Sequence, residues 1–124
     1  MGALGVTIAR IAPGEMDLRW PYAPHLCQQN GFLHAGVMAS VADSANGYAA
    51  FTLAPPDHDV LAVEFKINLL EPAVGEWFEA RGRVVRPGRT LTTCEARVVA
   101  GGSGGEEKLI ALMLSTIIIR AVRR

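Results

Sequence analysis

Between His25 and Asp57 the chain carries one formal charge, the carboxylate of Asp43. It lies in the stretch from Gln28 to Leu53, QQNGFLHAGVMASVADSANGYAAFTL, which is otherwise built mostly of Ala, Val, Met, Gly and Ser. A carboxylate in such a run is costly to bury unless it is hydrogen-bonded or paired. Desolvation also raises its pKa and makes it a better base. Upstream, the sequence places a helix start near Ala35, where the N–H groups of Ala35, Gly36 and Val37 have no intrahelical partner. The helix dipole adds partial positive charge there. Ala35 and Gly36 carry little or no side chain, so a ligand oxygen can approach these donors, as in an oxyanion hole. His34 is placed to cap the helix or orient the loop before it, and Gln28 offers a side-chain amide seven residues before Ala35.

Asp43 lies eight residues beyond Ala35, or ~12 Å along a helix axis. Nine residues at ~100° each turn it about 180° away from His34. One substrate atom cannot touch both Asp43 and the N-terminus of the same helix. If both act on one bond they come from different subunits, related by a two-fold axis. Oligomerisation is then a condition of activity.

The elements that must position these groups can be read from breakers and periodicity. Val6 to Ile11 and Met16 to Trp20 are short extended runs around the turn Ala12-Pro13-Gly14-Glu15. A helical turn is expected at Ala23 to Cys27, and Gln28 to Leu33, with Asn30-Gly31, reads as a loop. The long helix runs from near Ala35 to about Leu53, where Ala54-Pro55-Pro56 stops it. On it, Val37, Val41, Ser44, Tyr48 and Phe51 read as the bulky face for a sheet. Ala39, Asp43, Asn46, Gly47 and Ala50 read as a small, polar face for a partner element. Strands follow at Val60 to Leu70, Glu76 to Arg86, Thr90 to Ala100 and Lys108 to Val122, and their hairpin spacing predicts an antiparallel meander. Asp57-His58-Asp59 reads as a solvated loop. The fold class is α+β, with residues 1–124 as one domain.

Half of the 124 residues are hydrophobic and the formal net charge is zero. No bulk electrostatics point to nucleic acid or to an anionic membrane. The apolar run LIALMLSTIII is about half the ~20 residues a membrane helix needs. The start, MGALGVTIAR, lacks the regions of a signal peptide. Cys27 and Cys94 make no disulfide framework, so the expectation is a reduced, cytoplasmic setting.

The pattern Gln28, Asn30-Gly31, His34-Ala35-Gly36, then Asp43 resembles the hotdog-fold acyl-CoA thioesterases. It is most similar to the PaaI-like branch and its relatives acting on hydroxybenzoyl-CoA. VEFKINLLEPA at Val63 to Ala73 and RVVRPGRTL at Arg83 to Leu91 also resemble the family's strand and hairpin. The departure is Ala35, which stands for the first Gly of the family's HGG. The resemblance implies a long central helix wrapped by a five- or six-stranded antiparallel sheet. It implies hydrolysis of an aryl or medium-chain acyl-CoA by a homodimer or a homotetramer (a dimer of dimers), with no metal or redox cofactor. In family terms Ala35, with Gly36 adjacent, polarises the thioester carbonyl, Gln28 helps bind it or positions water, and Asp43 of the neighbouring subunit is general base or nucleophile. Asn30 belongs to the same substrate loop. Arg86, Arg89 and Thr90, at a turn, are placed to meet CoA phosphates.

Four other readings are weaker. A Cys27/His34/Asp43 nucleophilic set is opposed by the helical separation of His34 from Asp43. His25, His34, Asp57, His58 and Asp59 have no recognised metal-ligand spacing. A hotdog hydratase or dehydratase, and a non-catalytic acyl-CoA binding module, are the rival functions, and Ala35 keeps the second open.

Overall fold

The computed structural model describes residues 5–28 and 31–122. Its elements are β1 (Thr7–Ala12), β2 (Glu15–Pro21), a 3-10 turn (Pro24–Leu26), α1 (Ala35–Phe51), β3 (His58–Leu69), β4 (Trp77–Arg86), β5 (Leu91–Gly101) and β6 (Glu107–Ala121). The strands form one six-stranded sheet in the order β1-β2-β4-β5-β6-β3, and every pairing is antiparallel. This is a hotdog architecture: one long helix lies against the sheet. No described helix is long and apolar enough to cross a membrane.

The order corrects the expected meander. β3 does not pair with β4, which follows it. It pairs with β6, from His58↔Ala121 to Leu69↔Ala111. β4 takes β2 as its other neighbour, from Glu15↔Arg83 to Pro21↔Trp77. Hairpin spacing identifies β4-β5-β6, but β3 and β4 are joined by Glu71-Pro72-Ala73 and Gly75, which carries the chain across the sheet. β3 therefore forms one edge and β1 the other. Asp57-His58-Asp59 is likewise no free loop: β3 begins at His58, and Asp59 Oδ1 accepts from Arg120 Nε at 2.9 Å.

Of the face expected to meet a partner, the helix buries Asn46 and Ala50 against its own sheet and leaves Ala39, Asp43 and Gly47 half-buried. Asn46 and Ala50 are buried with Met38, Val41, Ala42, Ala45 and Ala49, whereas Tyr48 and Phe51 are each 51% exposed. The cause is close packing. On β4, a Cβ at Gly82 would stand 2.6 Å from the carbonyl carbon and oxygen of Ala45. A sheet that approaches the helix backbone this closely accepts small residues and excludes Tyr48 and Phe51. Of the expected bulky face, Val41 is buried in the core and Val37 packs against it partly buried. Around this contact pack Met16, Leu18, Phe78, Val98, Ile110 and Met113, and Trp20 stacks on Phe78 with ring centroids 5.6 Å apart. Each such apolar side chain contributes about 1.5–3 kcal/mol by burial. One polar pair is sealed inside: Asn46 Nδ2 donates to Ser115 Oγ at 2.8 Å.

The outer sheet face is laced by ion pairs. Glu79 takes Arg19 and Arg81, and Asp17 takes Arg83. Arg81 and Arg83 of β4 are thus held by buried carboxylates and are not freely solvated.

Candidate functional site

The groups that could act at a carbonyl gather at the start of α1. The loop before it is pinned at several points. Gln28 N–H donates to Phe32 C=O at 2.8 Å, Gly31 N–H donates to Gln28 C=O at 2.9 Å, and Leu33 N–H donates to Ala73 C=O at 3.1 Å. Gly31 has φ of 82°, the left-handed turn conformation that suits glycine. His34 is the N-cap, with extended backbone, and its Nδ1 accepts the N–H of Gly36 at 3.3 Å. Its C=O accepts the N–H of Val37 at 3.0 Å. Of the three donors expected to be free, two are therefore used. Among the described residues, Ala35 N–H has no partner in the protein. The cap requires Nδ1 to be unprotonated, so the ring carries its proton on Nε2.

Gln28 and Ala35 share the wall of a cleft of about 360 Å³, together with Phe32, Met38, Leu69 and Pro72. Asn30 lies outside the described residues. Sequence reasoning missed the far wall, residues 69–73. Its apolar-then-proline composition carried no sign of which element it would face.

Asp43 lies elsewhere. It is half-buried on the wall of a second cleft of about 530 Å³, with Ser44, Gly47, Tyr48, Phe51 and, from β3, residues 59–62. Its Oδ1 is sealed from solvent and has no hydrogen-bond partner among the described residues, so neither Ser40 nor Asn46 satisfies it. Ser40 instead donates to Gly36 C=O. Burial pushes the Asp43 carboxyl above its ordinary value. Within one protomer the structure thus brings Gln28, His34, Ala35 and Gly36 together and leaves Asp43 apart. β3 runs past both clefts. Its residues 60–62 line the Asp43 cleft, and Leu69 lines the Ala35 cleft. Between them stands Phe65, 48% exposed.

Arg86, Arg89 and Thr90 join neither cleft. They are exposed around the β4–β5 turn, and Arg89 lines a pocket of about 310 Å³ with Ala50, Pro55 and His58 at the other end of α1. Ala50 is ~22 Å along the axis from Ala35. Of the thiols, Cys94 is buried and pushed up to about 11 by desolvation, and Cys27 lies against Ala23 C=O. Neither sits in the Asp43 cleft.

The fold has known counterparts. Residues 30–106 match the thioesterase superfamily. The chain belongs to that superfamily. A thioesterase family protein from Silicibacter pomeroyi has the same fold, with a TM-score of 0.94, 49% identity, and coverage of 98% of this chain and 88% of that one. The phenylacetic acid degradation protein PaaI from Thermus thermophilus, in a mutant form, superposes with a TM-score of 0.82 and 28% identity, over 95% of this chain and 96% of its own. A provisionally assigned esterase of Halobacterium salinarum is 34% identical over 101 residues, 77% of this chain and 66% of its own length. The match thus spans just under two thirds of that relative. Family and fold are those of thioester hydrolases.

Proposed function

We propose that this chain hydrolyses an acyl-CoA thioester, aryl or medium-chain, in a homodimer whose sites each combine residues of both subunits. The observation that carries this reading is the division of the donor set and the carboxylate between two clefts on one edge strand. β3 has a single strand neighbour and shows apolar side chains to solvent, an arrangement prone to pairing with another edge. The dimer joins two β3 edges antiparallel about a two-fold axis at Phe65, which sets Leu61 opposite the partner's Leu69. The Asp43 cleft of one copy then faces the Ala35 cleft of the other, twice per dimer.

In each site the Ala35 N–H and the Gln28 amide donate to the thioester carbonyl oxygen, where negative charge develops. Asp43 of the other subunit takes a proton from water as the water oxygen attacks the carbonyl carbon, or attacks that carbon itself to give a mixed anhydride, which water hydrolyses to the free acid once the thiolate has left. The C–S bond then breaks and the CoA thiolate leaves and is protonated. Burial of Asp43 supports the basic role. His34 holds Gly36 and the loop, and this fits a hydrolase better than a hydratase that needs histidine for proton transfer. Asn30 adds to the substrate loop, and Arg86, Arg89 and Thr90 meet the CoA phosphates. Two dimers associate into a tetramer.

The test is thiol release from a panel of aryl- and alkyl-CoA thioesters. Turnover supports the hydrolase. Binding of every thioester without thiol release would make this a binding module.

A further inference from the structure

Gly47 stands in the interior of α1, where glycine is, after proline, the poorest helix former. Gly82 has a steric reason to be glycine, the Ala45 backbone against it. Gly47 has none of that kind. Its backbone is helical, and a Cβ built on it would meet nothing within 4 Å. What it does border is the cleft of about 530 Å³ that holds Asp43. Gly47 lies four residues after Asp43 and four before Phe51, so the three share one stripe of the helix. Asp43 and Phe51 are ~12 Å apart along the axis, and Gly47 lies midway between them. The other walls are mostly apolar or aromatic, from Tyr48, Val60, Leu61 and Ala62, with Ser44 and the Arg120-paired Asp59 as the polar ones. Tyr48 and Phe51 each remain half-exposed on this face.

We propose that Gly47 is a specificity-determining residue. Its missing side chain opens a notch between the Asp43 carboxylate and the Phe51 ring, and the notch receives the acyl group of the thioester. This rests on the hydrolase reading. The carbonyl carbon sits at the carboxylate, and the remainder of the acyl group runs toward Phe51 across the bare backbone of Gly47. Such a notch fits an apolar acyl group of benzoyl size or a medium alkyl chain. An acetyl group leaves it empty. Catalysis on larger acyl groups gains from the filled notch, and the cost is a helix weakened at its centre.

The experiment compares wild type, Gly47→Ala and Gly47→Leu on acetyl-, hexanoyl-, benzoyl- and phenylacetyl-CoA, with molar mass by light scattering and a thermal melt for each. A methylene group in a fitted apolar pocket changes selectivity by roughly 10–200-fold. The ratio of kcat/KM for benzoyl- over acetyl-CoA should therefore fall about tenfold in Gly47→Ala and about a hundredfold in Gly47→Leu. Gly47→Ala should keep the wild-type mass and melt higher, because alanine favours the helix. Unchanged ratios in both variants would overturn the proposal. So would loss of the wild-type mass in Gly47→Ala, which would make Gly47 a seat for the partner subunit's helix. Failure of the hydrolase reading is separately visible: wild type itself would then release no thiol from any of the four.

Discussion

His34 Nδ1 accepts the N–H of Gly36 at 3.3 Å, and this bond decides which donor at the head of α1 can meet a substrate. With Gly36 held by the imidazole and Val37 by the His34 carbonyl, Ala35 N–H is the donor of that turn left for a ligand. The residue between cap and glycine, marked in the sequence as a departure from HGG, thus carries the N–H that the proposed carbonyl polarisation uses. Its methyl is compatible with that role, since the donor is backbone.

Ala35 can be tested without disturbing the helix. It is the first helical residue, where proline is favoured because its missing N–H has no helical partner to lose. His34 has φ of −65° and ψ of 134°, an extended conformation that a following proline accepts. Ala35→Pro should fold with a melting temperature close to wild type. It should lose roughly 10²–10³-fold in kcat, the effect of removing one oxyanion donor. Full activity in a folded Ala35→Pro would remove this N–H from the mechanism.

His34 should act through structure. His34→Asn preserves a capping side chain, whereas His34→Ala removes it at a cost of about 0.5–2 kcal/mol. Urea melts should rank wild type and His34→Asn together, above His34→Ala. kcat/KM in His34→Asn should stay within several-fold of wild type. A loss of several orders of magnitude in His34→Asn at unchanged stability would assign His34 a proton-transfer role.

Asp43 makes two linked pH predictions. Desolvation raises its folded-state pKa above the ordinary 3.8. A group needed as carboxylate and titrating higher than usual places the acid limb of the kcat/KM profile above that value. For stability the sign is the reverse of a paired carboxylate. Between the unfolded and the raised folded pKa the native state binds more protons, so stability falls as pH rises through that window. Asp43→Asn should therefore melt higher than wild type at neutral pH, and the gain should vanish below 3.8. A neutral-pH melt lower than wild type would show that Asp43 is paired and not stranded.

The buried pair of Asn46 and Ser115 fixes the helix on the sheet. Ser115→Ala leaves the Asn46 amide N–H unpaired in the core, which costs about 1–3 kcal/mol. Equilibrium unfolding of Ser115→Ala and Asn46→Ala should show losses of this size. A neutral Ser115→Ala would mean that the pair contributes nothing net.

Much of this fold is legible in the residues themselves. Ala54-Pro55-Pro56 ends the helix within a few residues of its expected stop, Pro-Gly turns mark the hairpins, and the separation of Asp43 from Ala35 follows from helix geometry alone. What the sequence does not reveal is who covers what. Tyr48 and Phe51 have the bulk of core residues, but their apolarity does not say whether their own sheet or a substrate will cover them. Ala45 and Asn46 take the buried face because Gly82, 37 residues after Ala45, lets the backbones meet. β3 likewise has the composition of an inner strand and sits at an edge. Phe32 and residues 69–73 could not be seen as cleft walls, since only the crossing from β3 to β4 brings them to Ala35.

Subunit mixing asks whether Asp43 of one subunit serves Ala35 and Gln28 of the other. Ala35→Pro and Asp43→Asn are purified separately, assayed alone, then unfolded together and refolded as a mixture. Each alone should be nearly inactive. A mixed dimer regenerates one site with both groups intact, so random mixing should recover roughly a quarter of wild-type thioesterase activity. A mixture no more active than its parents, with mixed dimers demonstrated by mass, would contradict a site shared between subunits.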